Sequence, residues 1–408
     1  MFTTTPPTYT LTLLGDVMLG RLVDQLLPDS VPSADDAAHI SNFRRQYPSL
    51  QSYTYASPSG NVLPLFRSSS LVLANLETSA TLHPTPYPDK TFNYRTHPSN
   101  LHSLTTANIA HVSLANNHTL DFCETGLLDT IAALRHQGIS FAGAGSTPEE
   151  AARPAVLTLP STDPDRQAHE IHCYSFSDHP ASWSSIPLFN HIDYTSASRA
   201  RLKSQLTAPR PDGHRPPALK LVSMHWGPNY AWQPAPEIRL LARFLVRECG
   251  VDIVHGHSSH HIQGVEIIER SEDLKAEDDD VPGEGESDRH ATREAGSKGL
   301  VIYGCGDFVD DYAVNGVFRN DLSAAWRVTV GSAGGSSDGD VQKDAGRGLE
   351  VQKLEVFPNR IKTFQASLLR REDPDHEWVM KKFRQLCKEM GTDVQEGLGS
   401  EGQIVVVM

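Results

Sequence analysis

The chain has 408 residues, of which 38% are hydrophobic, and its formal net charge is −14 at pH 7. This length suits one large α/β unit with insertions, and the acidic balance argues against nucleic acid or an anionic membrane surface as the main partner. Half of the negative charge is local, because residues 272–294 hold ten Asp or Glu against three Lys or Arg. The rest of the chain is therefore only mildly acidic.

Targeting and redox signals are absent from the sequence. The N-terminal stretch has no basic region followed by a continuous apolar run, so no signal peptide is expected. No run approaches the roughly 18 apolar residues of a membrane span. The five cysteines are widely spaced and form no CxxC motif, which is typical of a reducing compartment. These features predict a cytoplasmic protein without a membrane anchor.

Short β-rich runs recur along the chain, and each ends in polar or glycine-containing residues. They are YTLTLLGD (9–16), SLVLANLE (70–77), IAHVSLANNH (109–118), LKLVSMHWG (219–227), VDIVHGH (251–257) and LVIYGCGDF (300–308). Helical patterns lie between several of these runs. They cover 99–109 with Ser99 as N-cap, 124–138 with Gly138 as stop signal, and 236–250 with Gly250 as stop signal. Strands that alternate with helices predict an α/β protein.

The C-terminal part of the chain predicts antiparallel strands at 325–330, 353–357 and 361–367, followed by a helix near 376–390. We expect residues 349–408 to complete the domain that begins with the first strand.

Two segments do not fit the strand and helix pattern. Residues 271–298 are acidic and rich in Gly, Ser and Pro, and residues 331–348 are rich in Gly, Ser and Asp. Both are predicted to be disordered, because they cannot bury enough apolar surface to offset the entropy of ordering. The main domain is therefore predicted over 9–330, with 271–298 as an insertion and 331–348 as a flexible loop.

The predicted strands end in residues whose side chains are of the types that can bind metal ions. These side chains are Asp16, Asn75, Glu77, Asn116, Asn117, His118, His225, His257, His260 and His261. Ligands of α/β folds bind at the carboxyl ends of the strands, where distant parts of the chain meet. Carboxylate, carboxamide and imidazole donors without cysteine favour Mn, Fe, Zn or Mg. One such residue is usually an ordinary polar side chain, but the repeated pattern predicts a hydrolytic centre with one or two ions.

Residues 254–261 read VHGHSSHH and hold four of the chain's 19 histidines. A polar loop is the simple interpretation of this stretch. The alternative, which the other strand ends favour, is a strand end followed by a metal-binding turn. In that interpretation Gly256 gives the turn its freedom, His257 and His260 are ligands, and His255 and His261 face the core or solvent.

Seven motifs occur in order over residues 9–312 and together resemble the CapA family. They are GDVMLGR, NLET, FNYRTHP, NNHTLDF, HWG, GHSSHHIQGVE and YGCGDFV. Proteins of that family are linked to poly-γ-glutamate capsule synthesis, and their fold is related to the calcineurin-like metallophosphoesterases. The resemblance implies a layered α/β/β/α sandwich. It also implies a set of metal ligands, namely Asp16, Glu77, Asn117, His225, His257 and His260.

The resemblance further implies that His118 is a general acid near the leaving group. Asp121 would lie on the same helical face as His118 and orient it by a hydrogen bond. Arg21 and Arg95 are candidates to anchor an anionic substrate, because a guanidinium pairs bidentately with carboxylate or phosphate. Either arginine could equally be a surface charge.

The sequence departs from the phosphoesterase pattern at several positions. Met18 stands where a histidine usually follows the first aspartate, Ser258 and Ser259 stand within the Gly-His motif, and Asp307 replaces the usual asparagine of the late motif.

Two functions therefore remain open. One is a metal-dependent hydrolase that acts on an anionic small molecule or polyanion with a phosphoester or γ-glutamyl bond. The other is a non-catalytic accessory protein that binds metal and a polyanion for a synthetase partner.

Overall fold

A computed structural model describes residues 8–159, 168–209, 216–270, 297–332 and 348–408. Within them the α-helices are α1 (Arg21–Leu26), α2 (Ala34–Gln46), α3 (Leu63–Arg67), α4 (His102–Thr106), α5 (Cys123–His136), α6 (Pro148–Ala152), α7 (Ser196–Thr207), α8 (Pro236–Arg247) and α9 (Pro374–Glu389). Short 3₁₀ helices cover Pro48–Ser52, Ser57–Val62, Pro98–Leu101 and Ala181–Trp183. No helix of this part of the chain is both long enough and apolar enough to cross a membrane.

The strands of the same residues form two large sheets and one two-stranded pair. In chain order they are β1 (Thr8–Val17), β2 (Leu71–Leu76), β3 (Ser79–Ala80), β4 (Arg95–Thr96), β5 (Ile109–Ser113), β6 (Ser140–Ala142), β7 (Ala155–Leu159), β8 (His169–Ser177), β9 (Leu219–His225), β10 (Ile253–His257), β11 (Val265–Glu269), β12 (Lys298–Ile302), β13 (Asp307–Val309), β14 (Leu322–Ser332), β15 (Leu349–Lys362), β16 (Gln365–Leu368) and β17 (Ile404–Val407).

The first sheet has the order β16-β15-β14-β1-β2-β5-β6, with β13 beside β1 and β17 beside β15. The second sheet has the order β11-β12-β10-β9-β8-β7, and β3 pairs with β4 separately. Strands β1, β2, β5 and β6 are parallel to one another, as are β8, β9, β10 and β12. Each sheet therefore gathers several carboxyl strand ends at one edge.

Three apolar clusters give the molecule its layers. The first includes Leu76 of β2 and Leu127 of α5, and covers the outer face of the first sheet with helices. The second lies between the two sheets and includes Leu13 of β1 and Leu221 of β9, with α9 packed into it. The third places Leu245 of α8 on the outer face of the second sheet. The fold is thus a mixed α/β sandwich in the order helices, sheet, sheet, helices.

Most of the predicted elements are confirmed. Helix α5 ends at His136, two residues before Gly138, which has a left-handed φ of 69°, and Gly250 has a φ of 67° after α8. The predicted cap at Ser99 is wrong. The 3₁₀ turn starts at Pro98, which has no N–H to satisfy, and the side chain of His97 caps it by accepting from the Ser99 N–H.

The late run at 300–308 is not one strand. Its first half is the end of β12 in the second sheet, and Asp307 starts β13 in the first sheet. Gly306, with a φ of 76°, stands at the crossing, because glycine adopts this conformation without strain. The segment therefore joins the two sheets at the edge where the predicted ligands lie.

The boundaries of the two predicted disordered segments need correction. Lys298 already belongs to β12, and both Gly331 and Ser332 still belong to β14, because backbone pairing with neighbouring strands continues through them. The remaining positions, 271–296 and 333–347, lie outside the described residues.

Candidate metal centre

Asp16 faces the space between the two sheets because β1 contains a bulge. Leu13, in the core between the sheets, pairs with Leu73 of β2, whereas Asp16 pairs with Asn75. Three steps along β1 thus match two along β2, and the extra residue turns Asp16 to the same face as Leu13. Asn75 Nδ2 donates to Asp16 Oδ1 at 2.7 Å and holds the carboxylate there.

His225 and His257 reach the same space by regular alternation along β9 and β10. Leu221 and Ile253 belong to the core between the sheets, and each lies four residues before one of the histidines. The strands are parallel, and His225 pairs directly with His257. Their Nδ1 atoms are 2.8 Å apart, and His257 Nδ1 is 3.7 Å from Asp16 Oδ1. Two imidazoles and a carboxylate therefore converge.

His260 and Asp307 join Asp16 from two other parts of the chain. His260 follows β10 in a turn, with a left-handed φ of 62°. Its Nδ1 is 2.9 Å from Asp307 Oδ1 and 3.8 Å from Asp16 Oδ2. Strand β13 runs parallel to β1, so that Asp307 pairs with Asp16. The approach requires Gly15, because a Cβ there would lie 1.8 Å from the carbonyl oxygen of Gly306.

The described residues contain two buried groups of possible metal ligands. Within each group the ligand atoms lie within 4.8 Å of one another, and Asp16 belongs to both groups. The first group is Asp16, His225 and His257, and the second is Asp16, Glu77, His260 and Asp307. A carboxylate shared by two donor groups can bridge two ions a few ångströms apart.

The second group has the polar atoms that a cation would satisfy. Both carboxylate oxygens of Glu77 are buried without a hydrogen-bond partner among the described residues, and so is Asp307 Oδ2. Burial of an unpaired carboxylate is costly unless a cation or proton compensates it. The donor set of carboxylates and imidazoles therefore fits a divalent metal.

The electrostatics of the cluster agree with this fit. Burial, and then the nearby Asp16 carboxylate, raise the pKa of Glu77 well above its ordinary value. Burial, and then Asp310, do the same to the pKa of Asp307. Burial alone would also raise the pKa of Asp16, but the neighbouring histidines outweigh it and the net pKa is lowered. A bound cation would compensate the negative charge of these closely spaced carboxylates.

A hydrogen-bond relay fixes which nitrogen of His257 faces the cluster. His255 Nε2 is 2.8 Å from the Leu14 carbonyl oxygen, which can only accept, so this nitrogen carries the proton. His255 Nδ1 then accepts from the Ser223 hydroxyl at 2.7 Å, and the Ser223 oxygen accepts from His257 Nε2 at 3.4 Å. Burial lowers the pKa of His257 to about 3, so the ring is neutral. Its Nδ1 keeps a lone pair for a metal.

His118 lies beside the second group. Its Nδ1 is 2.7 Å from Asp121 Oδ2, its Nε2 is 3.7 Å from Glu77 Oε1, and the Tyr94 ring stacks on it at 4.1 Å. The predicted pairing on one helical face is wrong, because both residues precede α5, which begins at Cys123. A turn makes the contact instead, in which the Asp121 N–H donates to the His118 carbonyl at 3.4 Å.

Lys90 is a partly buried cation next to this pair, with 17% of its side-chain surface exposed, and the sequence pattern did not point to it. Its Nζ donates to Asp121 Oδ1 and to the Phe92 carbonyl oxygen, and lies 3.1 Å from His118 Nδ1. Burial lowers the pKa of Lys90, although the Asp121 carboxylate opposes the shift. Asp121 therefore accepts from an ammonium and an imidazole together.

Asn117 lies at the edge of the first group, with its Oδ1 3.0 Å from His225 Nε2. Met18, which stands where phosphoesterases usually have a histidine, is fully buried, and its sulfur accepts from the Gly20 N–H at 3.2 Å. Its sulfur is thus engaged by its own loop.

The two predicted substrate-anchoring arginines lie in different surroundings. Arg21 Nε is 3.3 Å from Asp311 Oδ2, and its guanidinium lies 5.6 Å from the Tyr94 ring, the same ring that stacks on the general-acid candidate. Arg95 Nη1 donates to the carbonyl oxygen of His83 at 2.5 Å. The contacts of Arg95 therefore brace its own loop, whereas Arg21 adjoins the cluster.

The stretch VHGHSSHH is organised differently from the prediction in one respect. Gly256 lies within β10, and a Cβ there would be 2.2 Å from the Tyr303 carbonyl oxygen. It is needed for close packing of backbones rather than for turn freedom. The left-handed positions of the turn are Ser258 and His260, and such non-glycine outliers often occur at functional sites.

A cavity of about 460 Å³ lies beside the first group, and Asn117 and His179 are part of its lining. The rings of His179 and His225 are 4.9 Å apart. His179 Nδ1 hydrogen-bonds to Asp178, whose other oxygen accepts from the Tyr194 hydroxyl at 2.6 Å. A second carboxylate-imidazole pair therefore flanks the cluster.

Asp307, Lys90 and the Asp178–His179 pair are site residues that were not predicted from the sequence. The strand-end rule that selected the other ligands also applies to Asp307, which otherwise stands out only as a departure from a motif. Lys90 and His179 lie in loops with no periodic or motif signal, so the sequence offered no means of finding them.

Comparison with known proteins gives a family and several relatives. The family described as "Bacterial capsule synthesis protein PGA_cap" matches residues 10–312. Two proteins of Mycobacterium tuberculosis, from strains CDC 1551 and H37Rv, are each described as a "Probable polyglutamine synthesis accessory protein". Each is 29% identical over 414 residues, which cover 95% of this chain and 94% of the relative. The "Capsule biosynthesis protein CapA" of Bacillus anthracis is 25% identical over 64% of this chain and 56% of its own length.

Proposed function

Because this chain belongs to the bacterial capsule synthesis protein PGA_cap family, we propose that it is a metal-dependent hydrolase with a metallophosphoesterase-like α/β/β/α fold. Its substrate is an anionic molecule with a γ-glutamyl amide or phosphoester bond. The names of the relatives favour the γ-glutamyl class, since they refer to capsule and polyglutamine synthesis.

One observation carries the proposal. Two buried donor groups share Asp16, and the second contains a carboxylate, Glu77, whose two oxygens have no hydrogen-bond partner among the described residues. The site would hold one or two ions of Mn, Fe, Zn or Mg through Asp16, Glu77, His225, His257, His260 and Asp307, with Asn117 at its edge. A divalent cation there would supply a Lewis acid and an activated water.

His118 acts in the proposal as the proton donor to the leaving group. Asp121 and the stacked Tyr94 ring fix the orientation of the imidazole, and Nε2 points to the side of Glu77. Lys90 holds the Asp121 carboxylate in place through its ammonium. A positioned acid of this kind typically contributes about 10² to 10⁴ in rate.

Arg21 is the better placed of the two proposed substrate anchors. It lies next to Tyr94, on the side of the cluster that also carries Lys90 and His118. Arg21 and Lys90 give this side two cationic groups, each also paired with an aspartate, and a guanidinium can pair with the carboxylate of an anionic substrate. Arg95 would act indirectly, since its hydrogen bond holds the loop near His83.

A second candidate function is that of an accessory protein that binds metal and a polyanion for a synthetase. Two relatives with 94% coverage of their own length bear the word accessory in their names. Met18, whose sulfur is turned to its own backbone, supports the same idea, because a donor common in phosphoesterases is missing.

Metal content and turnover separate the two functions. Purified protein is analysed for bound metal and assayed with Mn on p-nitrophenyl phosphate, γ-glutamyl-p-nitroanilide and poly-γ-glutamate. A hydrolase turns over at least one of them, and Asp16→Asn abolishes both turnover and metal, whereas exposed Asp35→Asn changes neither. Metal binding without turnover on the whole panel would favour the accessory role instead.

A further inference from the structure

The cavity beside His225 has a lining unlike the other side of the cluster. Its polar side chains are Asn117, Asp178, His179, Tyr194, Asn229 and Glu237. No lysine or arginine is among its lining residues. At about 460 Å³ it has the size of a small-molecule subsite.

The hydrogen bonds around Asp178 determine what the cavity offers a ligand. The Tyr194 hydroxyl donates to Asp178 Oδ2 at 2.6 Å, so the phenol oxygen retains only lone pairs. The Gly227 N–H donates to the same carboxylate oxygen at 2.8 Å. His179 also lines the cavity, and its Nδ1 hydrogen-bonds to Asp178 Oδ1. Three polar groups beside the cavity, the Tyr194 hydroxyl, the Gly227 N–H and His179 Nδ1, are therefore already engaged by Asp178.

Charge points the same way as the hydrogen bonds. Glu237 lies in the first turn of α8, is exposed and adds a carboxylate to the lining. Acceptors and a negative charge favour a ligand that donates from nitrogen and carries a positive charge. They disfavour a carboxylate or phosphate at this position.

We infer that this cavity is a subsite for a primary ammonium group, which places the amine-bearing part of a ligand beside the first donor group. The inference rests on the proposed function for its role in a reaction. Hydrolysis of a γ-glutamyl amide adds water across the C–N bond and releases a carboxylate and an amine. The side of the cluster that carries Arg21 and Lys90 suits the carboxylate product, and the cavity suits the amine product.

Direct binding tests the subsite without any turnover. n-Butylamine and its neutral analogue n-butanol are titrated into the full-length protein, both metal-free and Mn-loaded, by calorimetry and by NMR shift perturbation. We expect the amine to bind at least about tenfold more tightly than the alcohol, since a charged hydrogen bond has that worth.

A matched pair of variants locates the binding. Glu237→Gln should weaken amine binding by about threefold to fivefold, the range of an exposed ion pair. Glu248→Gln, at the other end of α8 and paired with Lys203, should leave it unchanged.

The inference is overturned if amine and alcohol bind equally, if neither binds, or if the two glutamate variants behave alike. Hydrolysis plays no part in these readouts. Amine binding without hydrolysis would leave the subsite standing while the proposed function fails, and hydrolysis without amine binding would do the reverse.

Discussion

At the scale of single residues, the donor groups depend on side chains that do not face the cluster themselves. Ser223 and His255 form a chain of hydrogen bonds from the Leu14 carbonyl to His257, and the direction of each bond in the chain is fixed. Without this order the imidazole of His257 could place its proton on the nitrogen that is needed as a donor atom. Partners of this kind matter for metal affinity almost as much as the ligands do.

Breaking the relay should weaken metal binding. We expect Ser223→Ala or His255→Gln to lower the affinity by about 10-fold to 100-fold, because His257 loses its fixed tautomer. Competition with a chelator measures the affinity. The control is Ser113→Ala on β5, whose buried hydroxyl has no partner among the described residues. Equal affinities in Ser223→Ala and Ser113→Ala would refute the relay.

Substitution of His118 should lower turnover without removing the metal, unlike substitution of a metal ligand. His118→Ala should leave metal content almost intact and lower turnover by about 10² to 10⁴, least for substrates with good leaving groups that need no protonation. Asn117→Ala or His225→Ala should reduce metal content directly. Metal analysis beside rates decides, with exposed His136→Ala as control. If His118→Ala strips the metal as fully as His225→Ala does, His118 is a ligand and not an acid.

At the scale of elements, the site exists because β1 is irregular and β13 lies against it. The bulge turns Asp16 toward the second sheet, and the parallel pairing of β13 brings in Asp307. Both depend on the close approach of Gly15 to Gly306. A strand with regular alternation would have placed the carboxylate among the helices of the outer layer.

Gly15→Ala should therefore damage both stability and the site. The added Cβ would meet a backbone oxygen at 1.8 Å, and relief requires β13 to move. We expect a loss of about 1–3 kcal/mol in the free energy of unfolding, together with weaker metal binding. Gly316→Ala is the control, since a Cβ there meets nothing within 4 Å. Denaturant unfolding that shows equal stability for the two variants would contradict the close-contact argument.

The acidic insertion should be removable because its two ends already meet. Glu269 of β11 pairs with Lys298 of β12, and the Arg270 N–H donates to the Ser297 carbonyl at 2.9 Å. Replacement of residues 271–296 by Asn-Gly, a favoured hairpin turn, should keep a cooperative thermal transition and the metal content. Aggregation or loss of that transition would show that the segment is structural.

At the scale of the whole molecule, three apolar clusters support a polar centre that is itself buried. Asp16, Glu77 and Asp307 each expose 1% of their surface or less. Burial of these carboxylates opposes folding unless a cation compensates them. Metal binding and folding are therefore expected to be coupled.

Metal should stabilise the fold measurably. At a free metal concentration of about 100 times Kd the folded state gains about 2.7 kcal/mol, so Mn should raise Tm and a chelator should lower it. Glu77→Gln should raise the Tm of the metal-free protein, because it removes a carboxyl group whose ionisation is opposed by burial and by Asp16, and should shrink the gain from metal. Exposed Glu124→Gln should do neither. Differential scanning calorimetry of all three proteins, with and without Mn, tests this, and a lower metal-free Tm for Glu77→Gln would contradict it.

The sequence by itself determined most of the elements and the places where chemistry could lie. Short β-rich runs predicted β1, β2, β5, β9 and β10, and polar residues at or just after their ends include five members of the two donor groups. The motif order also predicted the family, which the comparison confirms. These features are local or ordered along the chain, and a sequence displays them directly.

Only the tertiary structure decided how these residues meet. The bulge that turns Asp16, the crossing that splits residues 300–308 between two sheets, and the ion pair of Lys90 with Asp121 all depend on contacts between distant segments. The same holds for His179, whose ring reaches His225 and the cavity only when β8 lies beside β9. Facing direction and burial follow from strand pairing across the sheets, and pairing is a property of the folded chain that local pattern does not contain.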